Sequence, residues 1–220
     1  MTVYPIFLNG LRGRKCVVFG GNDEAARKVR QLLECEADVR VIAAGLDPPL
    51  AVLHARGAVA WIRRRYRPGD LAGAFLTIVA ETDPVATAPI YEEARAERVL
   101  INAMDDVAHC TFVAGSTLRR GPLVIAISSS GVAPALSVRL RERLEREIGP
   151  EYASFLELLG SVRAEISDRY PDFEERRRLW YQLVDSSILD HLRNGDAASA
   201  RHQLAALTGI DPVNRSDARG

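Results

Sequence analysis

The chain carries one short stretch suited to binding a phosphate group, a glycine pair between an apolar run and a helical pattern. Gly20 and Gly21 follow the run Cys16-Val17-Val18-Phe19, and apolar residues then recur at helical spacing as far as Leu33. The order strand, glycine turn, helix exposes the N–H groups of a helix start, which bind anions such as a pyrophosphate. It predicts the opening βαβ unit of a dinucleotide-binding fold. The candidate nucleotide contacts are Gly20, Gly21, Asn22, Asp23, Glu24 and Ala25.

The fit to the G-x-G-x-x-G/A pattern is incomplete at its middle position, where Asn22 stands in place of glycine. Asparagine tolerates positive φ, so we expect the turn to survive with a side chain added in the path of the cofactor. The second strand runs into Ala43 without an acidic residue, and Asp47 is the nearest carboxylate for a ribose. The pattern fits NAD and NADP alike, and it leaves a dinucleotide site and a bare Rossmann scaffold as equal alternatives.

Two further polar stretches follow apolar runs. The run Val99-Leu100-Ile101 leads into the polar loop Asn102-Ala103-Met104-Asp105-Asp106. Ligands in open α/β sheets bind beyond the carboxyl ends of the strands, so this loop lies where chemistry is expected. The stretch Ser128-Ser129-Ser130-Gly131 lies between a buried strand and a helix, where hydroxyl and N–H groups gather around anions. The alternative for these serines is a helix N-cap with polar neighbours.

The elements that would position these residues alternate as in an α/β fold. Strands are predicted at residues 16–19, 39–42, 59–62, 75–80 and 99–102, with a helix from Pro84 to about Arg98 that Asp83 or Thr82 caps. From Thr111 the pattern indicates a hairpin with strands at 111–114 and 123–127, followed by a helix over 134–148. Helical stripes continue after Gly149-Pro150, and residues from about Asp211 onward are predicted to be a loose tail.

Composition favours a cytoplasmic protein that handles an anionic small molecule. The 29 Lys and Arg balance the 29 Asp and Glu, whereas nucleic-acid-binding domains are usually net basic. Arginines cluster locally, although solvated helix faces account for most such clusters. The three cysteines lie at no metal-ligand spacing, and no apolar run approaches the roughly 20 residues of a membrane span. We therefore expect neither a nucleic acid nor a membrane as a partner.

Several short motifs follow one another along almost the whole chain. They are Pro5-Ile6-Phe7, Gly20-Gly21 with Ala25 and Arg27-Lys28, Asp70-Leu71, Val79-Ala80, Asn102 with Asp105, Phe112, Gly121-Pro122-Leu123, and Ile125-Ala126-Ile127-Ser128-Ser129 with Gly131 and Pro134. In these residues the chain resembles the precorrin-2 dehydrogenase and sirohydrochlorin ferrochelatase family, which includes the N-terminal half of siroheme synthases. Such a set of motifs is more specific than one glycine turn.

The resemblance implies NAD-dependent oxidation of precorrin-2 to sirohydrochlorin and, in some members, insertion of ferrous iron into that product. It implies a homodimer with a Rossmann-like NAD(P)-binding domain over residues 1–110 and a dimerisation segment over 111–149. A helical domain over 150–210 would help to cover the tetrapyrrole, and 211–220 would be the loose tail. Further implied nucleotide contacts are Ala43, Ala80 and Glu81. The implied substrate contacts are Asn102, Ser128, Ser129, Ser130 and Gly131, with Arg119 and Arg120 as partners for the substrate carboxylates.

The family ties the aspartate at position 105 to both reactions. Oxidation needs a hydride acceptor on one side of the tetrapyrrole and a proton acceptor on the other, and iron insertion needs the pyrrole N–H protons to leave. One carboxylate near the ring could serve both steps, so Asp105 is predicted to be the catalytic residue. Helix capping is the alternative for Asp105, and Asp106 is interpreted as a helper or as an N-cap.

His109 suggests a metal contact of a different kind. If residues 106–110 are helical, Asp105 and His109 lie four apart on one face and could hold a metal in transit, with Cys110 adjacent. A surface or packing role is the other interpretation of a lone histidine. No firm metal ligand is assigned.

Three positions depart from the family pattern. Asn22 interrupts a triple glycine, and Ser130 replaces one glycine of Ser-Ser-Gly-Gly, which reduces loop flexibility. Glu81 replaces a hydroxyl residue and would face an anionic cofactor unfavourably if it points inward. Three functions therefore stay open: the dehydrogenase with or without iron insertion, a metal chelatase that no longer uses NAD, and a non-enzymatic tetrapyrrole carrier.

Overall fold

A computed structural model describes residues 3–212, and the chain forms two compact units that divide between Ala114 and Gly115. The predicted domain boundaries after residues 110, 149 and 210 stay a prediction. The elements of the first unit are β1 (Lys15–Phe19), α1 (Asp23–Leu33), β2 (Asp38–Ala43), α2 (Pro48–Ala55), β3 (Ala60–Arg63), β4 (Leu76–Val79), α3 (Pro84–Ala96), β5 (Leu100–Ala103) and a short 3-10 helix (Val107–His109).

The strands of this unit form one parallel sheet in the order β3-β2-β1-β4-β5, with β1 at its centre. Residues of β1 alternate between two hydrophobic clusters, because Cys16 and Val18 pack into one and Val17 and Phe19 into the other. A parallel strand that is buried on both faces appears in a sequence as a continuous apolar run. The α/β prediction with a Rossmann-like sheet is confirmed, and each of the five predicted strands lies within one residue of its observed ends.

The helices of the first unit differ in how clearly the sequence indicates them. α1 buries Ala25, Ala26, Val29 and Leu32 along one face. α2 was not predicted, because Leu50 is its one buried residue and no periodic apolar face results. The cap of α3 is confirmed, since the Asp83 carboxylate accepts a hydrogen bond of 3.0 Å from the N–H of Val85.

A half-buried ion pair fixes the chain between β3 and β4. The guanidinium of Arg64 donates two hydrogen bonds, of 2.8 and 2.6 Å, to the carboxylate of Asp70, and the N–H of Arg67 donates a third of 2.8 Å. Burial raises the pKa of Asp70, but these hydrogen bonds outweigh it and hold that pKa below its usual range. The ionised form of Asp70 is therefore the one that stabilises the fold.

The Asp70→Asn variant should lose stability in a pH-dependent way. A depressed carboxyl pKa contributes stability above the unfolded pKa, about 3.9, and the contribution is lost as pH falls through the folded value. We expect the variant to be less stable than the wild type by roughly 2 kcal/mol at pH 7, with the gap narrowing below about pH 4. Urea unfolding of both proteins across this pH range measures the gap. A gap that persists unchanged at low pH would contradict the assignment.

The second unit begins with a two-stranded antiparallel sheet, β6 (Ser116–Arg120) and β7 (Leu123–Ile127). The predicted first hairpin strand at 111–114 is therefore wrong. The N–H groups of Thr111 and Phe112 donate hydrogen bonds of 2.9 and 3.3 Å to the carbonyl of Ile101 in β5. This part of the chain is tied to β5, and the hairpin starts after it.

Helices make up the rest of the second unit. They are α4 (Pro134–Glu147), α5 (Glu151–Arg169), α6 (Phe173–Val184), α7 (Ile188–Arg193) and α8 (Ala197–Thr208). One hydrophobic cluster joins the four helices α5, α6, α7 and α8, with Ile166, Leu183, Ile188 and Leu204 fully buried. The predicted helical region is confirmed. The predicted loose tail lies, from residue 213 on, outside the described residues.

Two negative findings refer to residues 3–212. All three cysteines of the chain lie in this range and are free, and Cys16 is completely buried in β1, where burial raises the pKa of its thiol to about 11. No helix in the described range is long and apolar enough to cross a lipid bilayer.

Candidate active site

The strand order places a topological switch point between β1 and β4, which are hydrogen-bonded neighbours at the centre of the sheet. From this point the order of strands proceeds to β2 and β3 on one side and to β5 on the other. Ligands in open α/β sheets bind beyond the carboxyl ends of the strands at such a point. The residues that follow β1 and β4 here are Gly20 and Ala80, both of which are predicted nucleotide contacts.

The two glycines are required by the backbone packing of this turn. Gly20 has φ of 119°, a conformation that residues with a side chain rarely adopt. A Cβ added at Gly21 would overlap the carbonyl oxygen of Gly45, and the carbonyl of Gly21 accepts a hydrogen bond of 2.7 Å from the N–H of Asp47. Gly45 was not among the predicted site residues, although a glycine two positions after the second strand can indicate a close backbone approach.

Asn22 has an extended backbone, with φ of −85°, so the turn does not use the positive φ that asparagine tolerates. Its side chain is the N-cap of α1, because Oδ1 accepts a hydrogen bond of 2.9 Å from the N–H of Ala25. Its Nδ2 donates a hydrogen bond of 3.0 Å to the carbonyl of Ala80. The amide thus links the start of α1 to the end of β4 across the switch point.

The start of α1 can still bind an anion. Within the described residues, the N–H groups of Asp23 and Glu24 have no hydrogen-bond acceptor, and such groups bind phosphate oxygens at helix starts. The carboxylate of Glu24 is paired with Arg27, whereas Glu81 is half-buried beside Ala80. The turn therefore fits a dinucleotide phosphate, although its acidic side chains oppose the anion.

Removing the Asn22 amide should destabilise the protein by a measurable amount. Loss of an N-cap costs about 1 kcal/mol, and the Asn22→Ala variant also loses the hydrogen bond to Ala80. We expect the free energy of unfolding to fall by roughly 1–2 kcal/mol, as measured by urea denaturation. The matched control is Asp23→Ala at the next position, whose side chain bonds no residue in the described range. Equal losses in both variants would contradict the capping role.

The end of β2 offers one carboxylate for a ribose. Ala43 is buried, and its carbonyl accepts a hydrogen bond of 3.0 Å from the indole of Trp61. Asp47 begins α2 at the N-cap position, but its exposed side chain makes no capping hydrogen bond. The predicted role of Asp47 as the nearest ribose carboxylate stays compatible with this geometry, because its carboxylate is available.

Asp105 lies just after β5 in a strained backbone conformation. Its φ of 59° falls in the left-handed region, which aspartate adopts more readily than most residues. The side chain is exposed, and its carboxylate has no hydrogen bond or ion pair with any residue from 3 to 212. A carboxylate that is exposed and unpartnered can accept a proton from a ligand.

The Asp105 turn is held from inside by two side chains. Asn102 is 8% exposed, and its Nδ2 donates a hydrogen bond of 3.1 Å to the carbonyl of Phe112. The thiol of Cys110 lies against the backbone of Ala103 and Asp106. Asn102 faces the protein in this structure, and its contact with a substrate stays a prediction.

His109 is paired with Asp106 and not with Asp105. The 3-10 helix covers Val107–His109, so the α-helical spacing that the metal hypothesis required is absent. The Nδ1 atom of His109 lies 2.7 Å from the Asp106 carboxylate, and the imidazole stacks on Tyr91 with ring centroids 4.3 Å apart. Asp106 lies at the N-cap position of this 3-10 helix, as expected, but its side chain makes no capping hydrogen bond. Residues 3–212 contain no cluster of three potential metal ligands.

In the second unit, the serine loop precedes α4 and is closed by its own hydroxyl groups. The Ser128 hydroxyl accepts a hydrogen bond from the N–H of Ser130, and the Ser129 hydroxyl accepts one from Ala133, both of 3.1 Å. Ser130 has φ of 55° and Gly131 has φ of 80°. The serine at position 130 therefore keeps a conformation that glycine adopts without strain.

The two arginines predicted to contact the substrate lie in β6 and differ in their surroundings. Arg120 donates hydrogen bonds to the carbonyls of Ile148 (2.9 Å) and Glu145 (3.4 Å), so its guanidinium caps the end of α4. Arg119 is exposed. The geometry gives Arg120 a structural role, and substrate contacts of both arginines and of the serine loop stay predictions.

Three family models match the chain in succession. The family described as "Putative NAD(P)-binding" matches residues 6–116, "Sirohaem biosynthesis protein central" matches 120–147, and "Sirohaem synthase dimerisation region" matches 151–207. The last match falls on the helical region, whereas the dimerisation segment was predicted at residues 111–149.

The chain is also similar to full-length relatives and to a solved structure. Siroheme synthase 1 of Serratia proteamaculans is 37% identical over 204 residues, which are 93% of this chain and 43% of that protein. The siroheme synthase of Chromobacterium violaceum is 33% identical over 218 residues, 99% of this chain and 46% of that protein. The chain thus spans less than half the length of these relatives. The structure of SirC, precorrin-2 dehydrogenase, shares the fold, with 21% identity and a TM-score of 0.73 over 94% of this chain and 100% of that one.

Proposed function

Because the chain belongs to the siroheme synthase family, of which it spans the NAD(P)-binding, central and dimerisation regions, we propose that it oxidises precorrin-2 to sirohydrochlorin with NAD as the hydride acceptor. The observation that carries the proposal is the Asp105 carboxylate. It is exposed, it is unpartnered within residues 3–212, and it follows the strand next to the switch point. A proton acceptor is therefore available on the same sheet as a turn that fits a dinucleotide.

Each part of the oxidation has a candidate residue. When bound, NAD supplies the acceptor for a hydride that leaves a carbon of the macrocycle. The N–H groups of Asp23 and Glu24 would bind the pyrophosphate, and Asp47 would bind a ribose hydroxyl. Asp105 would accept, at a carboxylate oxygen, the proton that leaves together with the hydride, and then release it to water. Precorrin-2 thereby loses two hydrogens, one as hydride and one as a proton.

Ferrous iron is proposed as the substrate of a second reaction. Its insertion into sirohydrochlorin releases two N–H protons, and the same Asp105 carboxylate could accept them in turn. A chelatase that no longer uses NAD is favoured by the acidic side chains of Asp23, Glu24 and Glu81 around the phosphate turn. These carboxylates weaken the binding of an anionic cofactor, but they leave Asp105 unaffected.

The test is anaerobic incubation of the purified protein with precorrin-2 and NAD in the absence of metal, followed by the absorption of sirohydrochlorin. Conversion that requires NAD would support the dehydrogenase. A protein that binds the tetrapyrrole but converts none of it would refute that function. Adding ferrous iron to sirohydrochlorin then separates a chelatase from a carrier, since a carrier would form no siroheme.

A homodimer is proposed for the second unit. The match to a dimerisation region supports it, as do the exposed apolar side chains of Val132 (84%), Leu136 (55%) and Leu140 (41%). Both residues 111–149 and the helical region could contribute to the interface.

A cytoplasmic location is also proposed, because all three cysteines are free and such thiols persist in a reducing compartment.

A further inference from the structure

The thiol of Cys110 lies at the centre of the turn that carries Asp105. Its Sγ accepts a hydrogen bond from the N–H of Ala103, at 3.2 Å. The carbonyl oxygens of Ala103 and Asp106 lie 3.2 and 3.3 Å from the same sulfur, so the thiol proton has an acceptor on each side of Asp105. The turn is thus bridged by one side chain from the last residue of β5 to the residue after Asp105.

Other contacts hold the residues next to Asp105 as well: the N–H of Met104 donates to the carbonyl of Val79 at 3.0 Å, and the Asp106 carboxylate lies 2.7 Å from Nδ1 of His109. The N–H of Asp106 donates to the carbonyl of Ala103 at 3.4 Å, near the limit for such a bond. Asn102 lies behind the thiol, with its Nδ2 atom 3.7 Å from the sulfur and a hydrogen bond to Phe112. Cys110 is the side chain that contacts the backbone at both ends of the turn, at Ala103 and at Asp106.

Donation requires a protonated thiol, and the surroundings keep it so. Burial raises the pKa of Cys110, and the nearby Asp106 carboxylate acts in the same direction. A neutral thiol can donate and accept at once, whereas a thiolate would face two carbonyl oxygens. The chemistry of the group matches the contacts around it.

We propose that Cys110 is a positioning residue. It holds the backbone of Asp105 in its left-handed conformation and so positions the carboxylate at the carboxyl end of β5. The inference rests on the proposed function for its catalytic consequence. A non-glycine residue with φ of 59° persists where its neighbours fix it, and this one sulfur contacts both Ala103 and Asp106, which flank the pair Met104-Asp105. Loss of the thiol would let the turn relax and move the carboxylate away from the substrate.

The test compares Cys110→Ala, Cys110→Ser and the matched control Cys35→Ala, which removes another half-buried free thiol. In the NAD-dependent assay, we expect kcat of Cys110→Ala to fall about tenfold to hundredfold with KM for NAD unchanged. Cys110→Ser should recover most of the loss, since a hydroxyl group also donates and accepts. Wild-type kcat in Cys110→Ala, or no recovery in Cys110→Ser, would overturn the inference.

A second measurement keeps this inference separate from the proposed function. Amide hydrogen exchange of the segment 102–112, followed by mass spectrometry, should be faster in Cys110→Ala than in the wild type, Cys110→Ser and Cys35→Ala. If the wild type fails to oxidise precorrin-2, the proposed function is refuted, and exchange alone decides whether Cys110 holds the turn. Equal exchange in all four proteins would refute the positioning role whatever the activity.

Discussion

Replacement of Asp105 by asparagine is expected to slow precorrin-2 oxidation by about 10²- to 10⁴-fold, the usual contribution of a general acid–base residue. Asparagine keeps the shape of the side chain but cannot accept the proton at a carboxylate. It also tolerates the left-handed backbone at φ of 59°, so the turn should keep its form. The rate is measured in single turnovers at saturating NAD, from the absorption of sirohydrochlorin.

The neighbouring carboxylate provides the control for this variant. Asp106 is bound to the imidazole of His109, so Asp106→Asn should leave most of the activity. Neither variant should change the dissociation constant for NAD, because α1 and the switch point are untouched. A fully active Asp105→Asn protein would remove the basis of the proposed mechanism, and equal losses in both variants would point to the turn as a whole.

Substitution of Gly21 by alanine is expected to be the most damaging change at the cofactor turn. The added Cβ would overlap the carbonyl oxygen of Gly45, and the 2.7 Å hydrogen bond from Asp47 to Gly21 keeps the two segments together. Forced shifts of this kind cost about 1–3 kcal/mol. We expect a loss of stability in that range and, because α1 starts two residues later, a fall in NAD affinity of about tenfold or more.

Gly45→Ala is the matched control, because the two glycines face each other but only one of them is crowded. A Cβ at Gly45 would have no neighbour within 4 Å. Its free energy of unfolding and its NAD affinity should therefore stay close to those of the wild type. Calorimetric titration with NAD and urea unfolding give both quantities. If Gly45→Ala were as damaged as Gly21→Ala, crowding at Gly21 could not be the cause.

Local sequence patterns were sufficient where an element buries a regular face. The run at β1 alternates between two clusters, and α1 places its small and branched residues on one side. Both patterns depend on residues two, three or four apart, so a linear sequence displays them. The glycine pair was visible for a similar reason, although the sequence suggested the phosphate and the structure adds the packing against Gly45.

Predictions failed where the deciding partner is distant in the chain. Residues 111–114 resemble a strand, but Thr111 and Phe112 bind Ile101. The side chain of Asn22 binds Ala80, which is 58 positions later. The sequence alone therefore predicted that this amide would lie in the path of the cofactor. His109 stacks on Tyr91 of α3, which is distant in the chain. It also pairs with the nearby Asp106, where the local helix is 3-10 and not the α-helix that the metal hypothesis assumed. No spacing rule encodes these choices.

The burial of Cys16 provides a built-in reporter of how often the central sheet opens. Its thiol is inaccessible in β1 and has a pKa of about 11, so an alkylating reagent can modify it only in molecules whose sheet has opened. Cys35, which is half-buried, would react first and mark the amount of active reagent. The labelling rate of Cys16 then measures the free energy of opening of the sheet. A slower labelling rate in the presence of NAD would measure how much the bound cofactor stabilises the closed sheet.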